Sequence, residues 1–188
     1  MANKIKYGLR NVYYSKITYA GNTASYATPV AIPGGVNLSM DAQGELSPFY
    51  ADDGVYWQGA SNNGYSGTLE VALLPDSFRT DILGEKTDTN SVGFEYADTG
   101  TTEFALLFEF QGDANAVRHS FLRCVATRPA VNGATKEASI TPQTETLNIS
   151  AMPRLSDNCV KGRCDKTTSP TQYSTWFTTV YEPVITSQ

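Results

Sequence analysis

Residues 65–85 read YSGTLEVALLPDSFRTDILGE, and a change of period inside them decides the fold. As far as Leu73 the residues alternate, with Tyr65, Gly67, Leu69, Val71 and Leu73 set against Ser66, Thr68, Glu70 and Ala72. A period of two marks a strand with one buried face. From Pro75 the period lengthens, and Phe78, Ile82 and Leu83 fall on one face of a helix over about residues 75–84. Pro75 suits a first helical turn, and Gly84 can take the left-handed conformation that ends one. A helix of two turns does not persist alone, so it needs a sheet to pack against. The junction predicts a sheet whose edge or open end is covered by one short helix.

The rest of the chain supplies that sheet. Residues 9–18 mix β-branched and aromatic side chains, and residues 36–40 alternate strictly. Residues 104–110 and 117–125 flank Gln111-Gly112-Asp113-Ala114-Asn115-Ala116, whose Gly and Asp/Asn supply a hairpin turn. Asn132-Gly133 sits in the next connection, leading to a strand within residues 138–149, and residues 173–180 (YSTWFTTV) read as the last strand. Seven or eight strands at this spacing predict a mainly β sandwich or barrel. A chain of 188 residues with 40% hydrophobic residues suits one domain with a full core. Fifteen Gly, nine Pro and eleven Tyr beside three Met argue against a helical bundle.

Three segments lack core periodicity and are long for connections: an N-terminal arm (about residues 1–8), a loop over 41–64 and a loop over 153–172. The loop 41–64 carries Phe49, Tyr50, Tyr56 and Trp57 among glycines and acids, which pure disorder would not. These aromatics could pack under the loop onto their own domain, anchor another subunit, or stack on a sugar. Charge is blocked along the chain: residues 1–40 carry +4, residues 41–113 carry −12 and residues 114–188 carry +3. This is either a solvated surface with local bias or a self-complementary pattern, in which the basic arm of one subunit meets the acidic middle of another. A net charge of −5 makes a poor grip for DNA.

Catalytic and metal-binding patterns are absent from the sequence. Cys124 lies in an apolar stretch and reads as a buried small hydrophobe. Cys159 and Cys164 form C-x4-C in a polar loop, as free thiols or a loop-closing disulfide, and one histidine is too few to complete a local zinc set. That histidine, His119, shares a strand face with Val117 and Phe121 and reads as structural. No GxSxG, P-loop, HExxH or GxGxxG occurs, and Asp52-Asp53 before Gly54 reads as a turn. No catalytic, cofactor or metal residue is assigned, and the chain is not expected to be an enzyme. With no apolar run of eighteen residues and no apolar segment behind the basic N-terminus, neither a membrane span nor a secretory signal is expected, and folding in a cytoplasm is.

Four stretches, KIKYGLRNVYYSKIT, AIPGGVNLSMD, SGTLEVALLPDSFRTDILGE and TWFTTVYEP, resemble the major tail proteins of long-tailed bacteriophages of Gram-positive hosts. They run from the first residues to about Pro183, so the resemblance spans nearly the whole chain. It implies a tail-tube β-sandwich with a flanking helix, whose sheets join into one barrel in a hexameric ring. Rings of this family stack into a tube around a tape-measure protein, between tail-tip and terminator proteins, and the lumen later conducts DNA. It implies no cofactor, no membrane partner, assembly in the host cytoplasm and a final place in the virion. On this picture the loop 41–64 reaches a neighbouring ring through Phe49, Tyr50, Tyr56 and Trp57. The arm, with Lys4, Lys6 and Arg10, lies on an adjacent subunit against acids of the middle block. The alternatives are another tail ring protein, such as a terminator or distal tail protein, or a carbohydrate-binding sandwich stacking sugars on Tyr56, Trp57 and Trp176.

Overall fold

The strand Phe104–Phe110 is buried on both of its faces, and the architecture follows from what covers each. The computed structural model describes residues 5–112, 116–135 and 142–184. Its elements are β1 (Leu9–Ala20), β2 (Thr23–Tyr26), β3 (Val30–Ala31), β4 (Gly35–Gln43), β5 (Leu46–Ala51), β6 (Gly54–Ala60) and β7 (Gly64–Val71). There follow α1 (Asp76–Asp81), β8 (Lys86–Thr87), β9 (Gly93–Phe94), β10 (Phe104–Phe110), β11 (Arg118–Ala126), β12 (Glu145–Ala151), β13 (Lys161–Cys164) and α2 (Pro170–Thr175). The protein is mainly β, with antiparallel sheets of the sandwich type and two small helices.

The main sheet runs β2-β1-β10-β11-β12-β7-β4, with β3 also paired to β1 and β13 to β11. It curls until its ends approach, so that a Cβ added at Gly35 on β4 would lie 3.0 Å from Val12 on β1. Alternation then sorts the side chains. Phe104, Leu106 and Phe108 point inward with Val12, Tyr14, Leu69, Val71, Leu147 and Ile149. Ala105 and Leu107 point outward into a second cluster with Leu122, Cys164, Trp176 and Val180. In β11 four residues, 121 to 124, span what β10 spans in three, 104 to 106, a bulge that sets Phe121 and Cys124 inward and Leu122 outward.

α1 closes one end of the inner core. Phe78 is fully buried, with Tyr14 and Phe104 edge-on at 5.0 and 5.4 Å, and Ile82 and Leu83 are buried beside it. Burying side chains of this size stabilises by roughly 1.5–3 kcal/mol each, which is what holds so short a helix. Pro75 caps the helix in extended conformation, Ile82 caps its other end, and Gly84 turns the chain two residues further on at φ +75°, with Thr99 Cγ2 2.5 Å from where a Cβ would stand. The strand-to-helix junction is therefore as the change of period predicts.

The outer face is covered differently from expectation. Residues 153–172 are no free loop, since β13 lies within them and pairs with β11 from Arg118↔Cys164 to Phe121↔Lys161. Residues 173–180 are not a strand: α2 enters them after Pro170 in its first turn, and turns follow. Tyr173, Trp176, Phe177 and Val180 stand at i, i+3, i+4 and i+7, a helical spacing masked by β-branched and aromatic composition, and all four pack in the outer cluster. The expected strand in 138–149 is β12, shorter and later; its expected beginning, residues 138–141, lies outside the described residues.

Candidate assembly surface

β4 and β7 pair from Gly35↔Val71 to Gln43↔Gly64, and the ribbon does not stop there. Backbone bonds from Asn63 N–H to the Gln43 carbonyl at 2.8 Å and from Ser61 N–H to the Glu45 carbonyl at 3.0 Å carry it on into β5 and β6. Among the described residues those two strands pair only with each other. The expected loop over 41–64 is thus a hairpin arm, projecting by six residues, or roughly 20 Å at strand rise. Its turn is Asp52-Asp53, at φ +50° and +60°, the pair of positive angles that a two-residue hairpin of this twist requires.

Pairing decides the faces of the arm. Phe49↔Trp57 and Ser47↔Gly59 lie on one side; Leu46↔Ala60, Pro48↔Gln58 and Tyr50↔Val55 lie on the other. Tyr56 is the extra residue of a bulge between Trp57 and Val55. The Trp57 indole lies over Gly59, where any Cβ would collide with the ring. Phe49 is 59% exposed, Tyr50 65%, Tyr56 73% and Trp57 60%, and Leu46 and Val55 are exposed as well. Of the three placements open to the four aromatics, packing under the loop onto their own domain is therefore overturned: the ribbon lifts both of its faces away from the core. Leu46 and Val55, missed in the sequence, belong to the same surface; the run Leu46, Pro48, Tyr50 was their signal.

The arm at the N-terminus behaves otherwise. Lys4 lies outside the described residues. The chain from Tyr7 stays on its own subunit, where the Gly112 N–H donates to the Tyr7 carbonyl at 2.9 Å and the Gln111 N–H to Gly8 at 2.8 Å. Lys6 is exposed, its ammonium 4.8 Å from the Phe110 ring centroid. Arg10 binds within its own chain: its Nε donates to Glu109 Oε1 at 2.8 Å, Asn11 Nδ2 to the same oxygen at 2.6 Å, and Arg118 Nε to Oε2 at 3.0 Å. Glu109 is 2% exposed, so Arg10 neutralises a buried carboxylate of its own middle block. Arg118 also lies on the Tyr173 and Phe177 rings and donates to the Tyr173 carbonyl, fastening α2 to the sheet.

At the end of the sheet away from α1, a cavity of about 290 Å³ opens between Tyr65, Phe108, Phe110, His119 and Phe121. His119 stacks on Phe108 at 5.3 Å and 17°, a structural role that matches its strand face. Lys6 and Lys161 stand at this cavity, Lys161 4.8 Å from the Tyr65 ring centroid. Trp176, by contrast, is 3% exposed and donates its indole N–H to the His119 carbonyl at 3.3 Å, so it shares no platform with Tyr56 and Trp57.

The three cysteines are free thiols. Complete burial pushes the Cys124 thiol far above its ordinary range; burial also raises Cys164, and partial burial raises Cys159, helped by Asp157. None carries the lowered pKa of a reactive thiolate. Among the described residues no cluster of His, Cys, Asp and Glu could hold a metal ion, and no helix is long and apolar enough to cross a membrane. In comparisons with protein-family models and with curated proteins, neither finds a match for this chain.

Proposed function

We propose that this chain is a structural subunit that assembles with itself, specifically a tail-tube protein whose hexameric rings stack around a tape-measure protein and later conduct DNA. The observation that carries the reading is the β5–β6 arm, a two-stranded ribbon with apolar side chains on both faces and no core beneath it. Such a ribbon is marginal in water alone and gains a covered face only from a partner. Exposed Phe49, Tyr50, Tyr56 and Trp57 are the residue types that anchor interfaces. β4, at the end of the strand order, has one edge that pairs with no strand among the described residues, a joint for a neighbour's sheet. The likeness of four stretches to major tail proteins supplies the particular assembly, with tail-tip and terminator proteins at its ends and the virion as its place. A net charge of −5 suits a passage that DNA crosses without sticking. On this reading exposed Lys6 meets a neighbour's acids, with Arg10 fixing the arm's base.

Size-exclusion chromatography with light scattering, across protein concentration and with purified tail-tip complex as a seed, tests the reading. Ring- or tube-sized species are expected. A monomer that stays monomeric on the seed overturns it.

A further inference from the structure

We propose that the open end of the curled sheet is the seat for the β5–β6 tip of a second copy of this chain, Tyr50 and Tyr56 entering the aromatic cavity while Lys6 and Lys161 pair with Asp52 and Asp53. The inference rests on the self-assembly reading and names the contact that reading leaves open.

The two ends of the inner core are unequal. α1 fills the Phe104 end with Phe78, Ile82 and Leu83. The Phe108–Phe110 end has no such plug among the described residues and leaves about 290 Å³ lined by aromatic rings. That volume is at the small end of the range for built pockets, suited to a pair of aromatic side chains rather than a large ligand. Among the described residues the charged side chains lining it are Lys6 and Lys161, with no carboxylate. The cavity thus asks for an aromatic body with negative charge at its rim.

The arm presents that chemistry. Residues 41–64 hold Asp41, Glu45, Asp52 and Asp53 with no Lys or Arg. Asp52 and Asp53 are exposed at the tip, with Tyr50 and Tyr56 just behind them. The arm leaves its own subunit beside Tyr65, at the same end as the cavity, yet its tip is exposed and does not fold back into it. Each copy can offer its tip to the cavity of a copy in the adjacent layer. A contact between two different patches repeats from one copy to the next, as the expected reach of residues 41–64 to a neighbouring ring requires.

Two charge-reversed chains test this. One carries D52K and D53K with the native lysines at the cavity; the other carries K6E and K161E with the native tip. Alone, each sets like charges against each other, and its assembly should fall at least about tenfold below wild type at low salt. Mixed one to one, every tip again meets an opposite rim, and assembly should return. Circular dichroism and thermal melting establish that both variants fold. Assembly of either variant alone at the wild-type level, or a folded mixture no better than its components while wild type assembles, overturns the seat but leaves self-assembly standing. Wild type that never assembles, even on a tail-tip seed, overturns both.

Discussion

Phe49 stands directly opposite Trp57 across the β5–β6 ribbon, and each is more than half exposed. Cross-strand aromatic pairs stabilise a ribbon by about 0.2–1 kcal/mol, too little to account for so much apolar surface kept in water. The pair is better understood as one face of an interface awaiting its other half.

Trp57→Ala should therefore leave the monomer nearly as stable as before, within about 0.5 kcal/mol by thermal melting, because the side chain touches no core. Its effect on association should be far larger, about 2 kcal/mol or more, the cost typical of a central interface aromatic. Thermal melting of the monomer reads the first outcome and sedimentation at several concentrations the second. An equal loss of folding and assembly would place Trp57 in the core instead.

The two tryptophans give a second readout. Trp57 is open to solvent and Trp176 is buried, so acrylamide should quench only the Trp57 part of the monomer's emission. On assembly the quenchable part should disappear. Quenching that does not change between monomer and assembly would show that the arm stays bare.

Glu109 is held by Arg10, Asn11 and Arg118, and Arg118 in turn carries α2. Glu109→Ala leaves Arg118 largely buried without its partner and should cost about 3 kcal/mol. Arg10→Ala removes a half-exposed partner and should cost about 1 kcal/mol or less. Urea unfolding at neutral pH measures the two, and a larger loss from Arg10 would contradict the geometry.

Acid should weaken the outer layer. Hydrogen bonds from Arg123 hold Glu103 below the usual carboxylate range, and those from Arg154 do the same for Asp157. A carboxyl depressed in the folded state adds stability that is fully present above its unfolded value, near pH 4, and is lost as pH falls through the folded one. Melting temperature should be flat from pH 7 to about 5 and drop below about 4. In the double variant E103Q/D157N the acid drop should be shallower, and an unchanged profile would exclude these two groups as its source.

Thiol chemistry separates the cysteines. Cys159 is partly exposed while Cys124 and Cys164 are buried, so an aromatic disulfide reagent should titrate one thiol per native chain, slowly, and three in denaturant. One thiol in denaturant would instead mean that Cys159 and Cys164 are joined.

Much of this fold was legible because periods of two and 3.6 are hard to confuse in long segments. Residues 65–84 and 104–110 are cases in which one or both faces had to be buried. The misses have physical reasons. Tyr173, Trp176, Phe177 and Val180 keep helical spacing, but the Thr-rich, aromatic composition reads as a strand and outweighs Pro170, the first-turn signal. A ribbon with apolar residues on both faces shows no in–out alternation, so in sequence the arm reads as a loop, although Asp53-Gly54 between aromatic runs is a hairpin signal. Its four aromatics were identified from residue type alone. The cavity was invisible, since Tyr65, Phe108 and His119 meet only through pairings of strands distant in sequence. The engagement of Arg10 was hidden for the same reason: Glu109 is its neighbour in space, across β1 and β10.

Electron microscopy of the concentrated wild-type protein beside Trp57→Ala, with tail-tip seed present in both, tests the central claim most directly. The account predicts hollow rings or tubes of one diameter from wild type, and dispersed folded monomers from the variant. Monomers from both, or identical tubes from both, would contradict it.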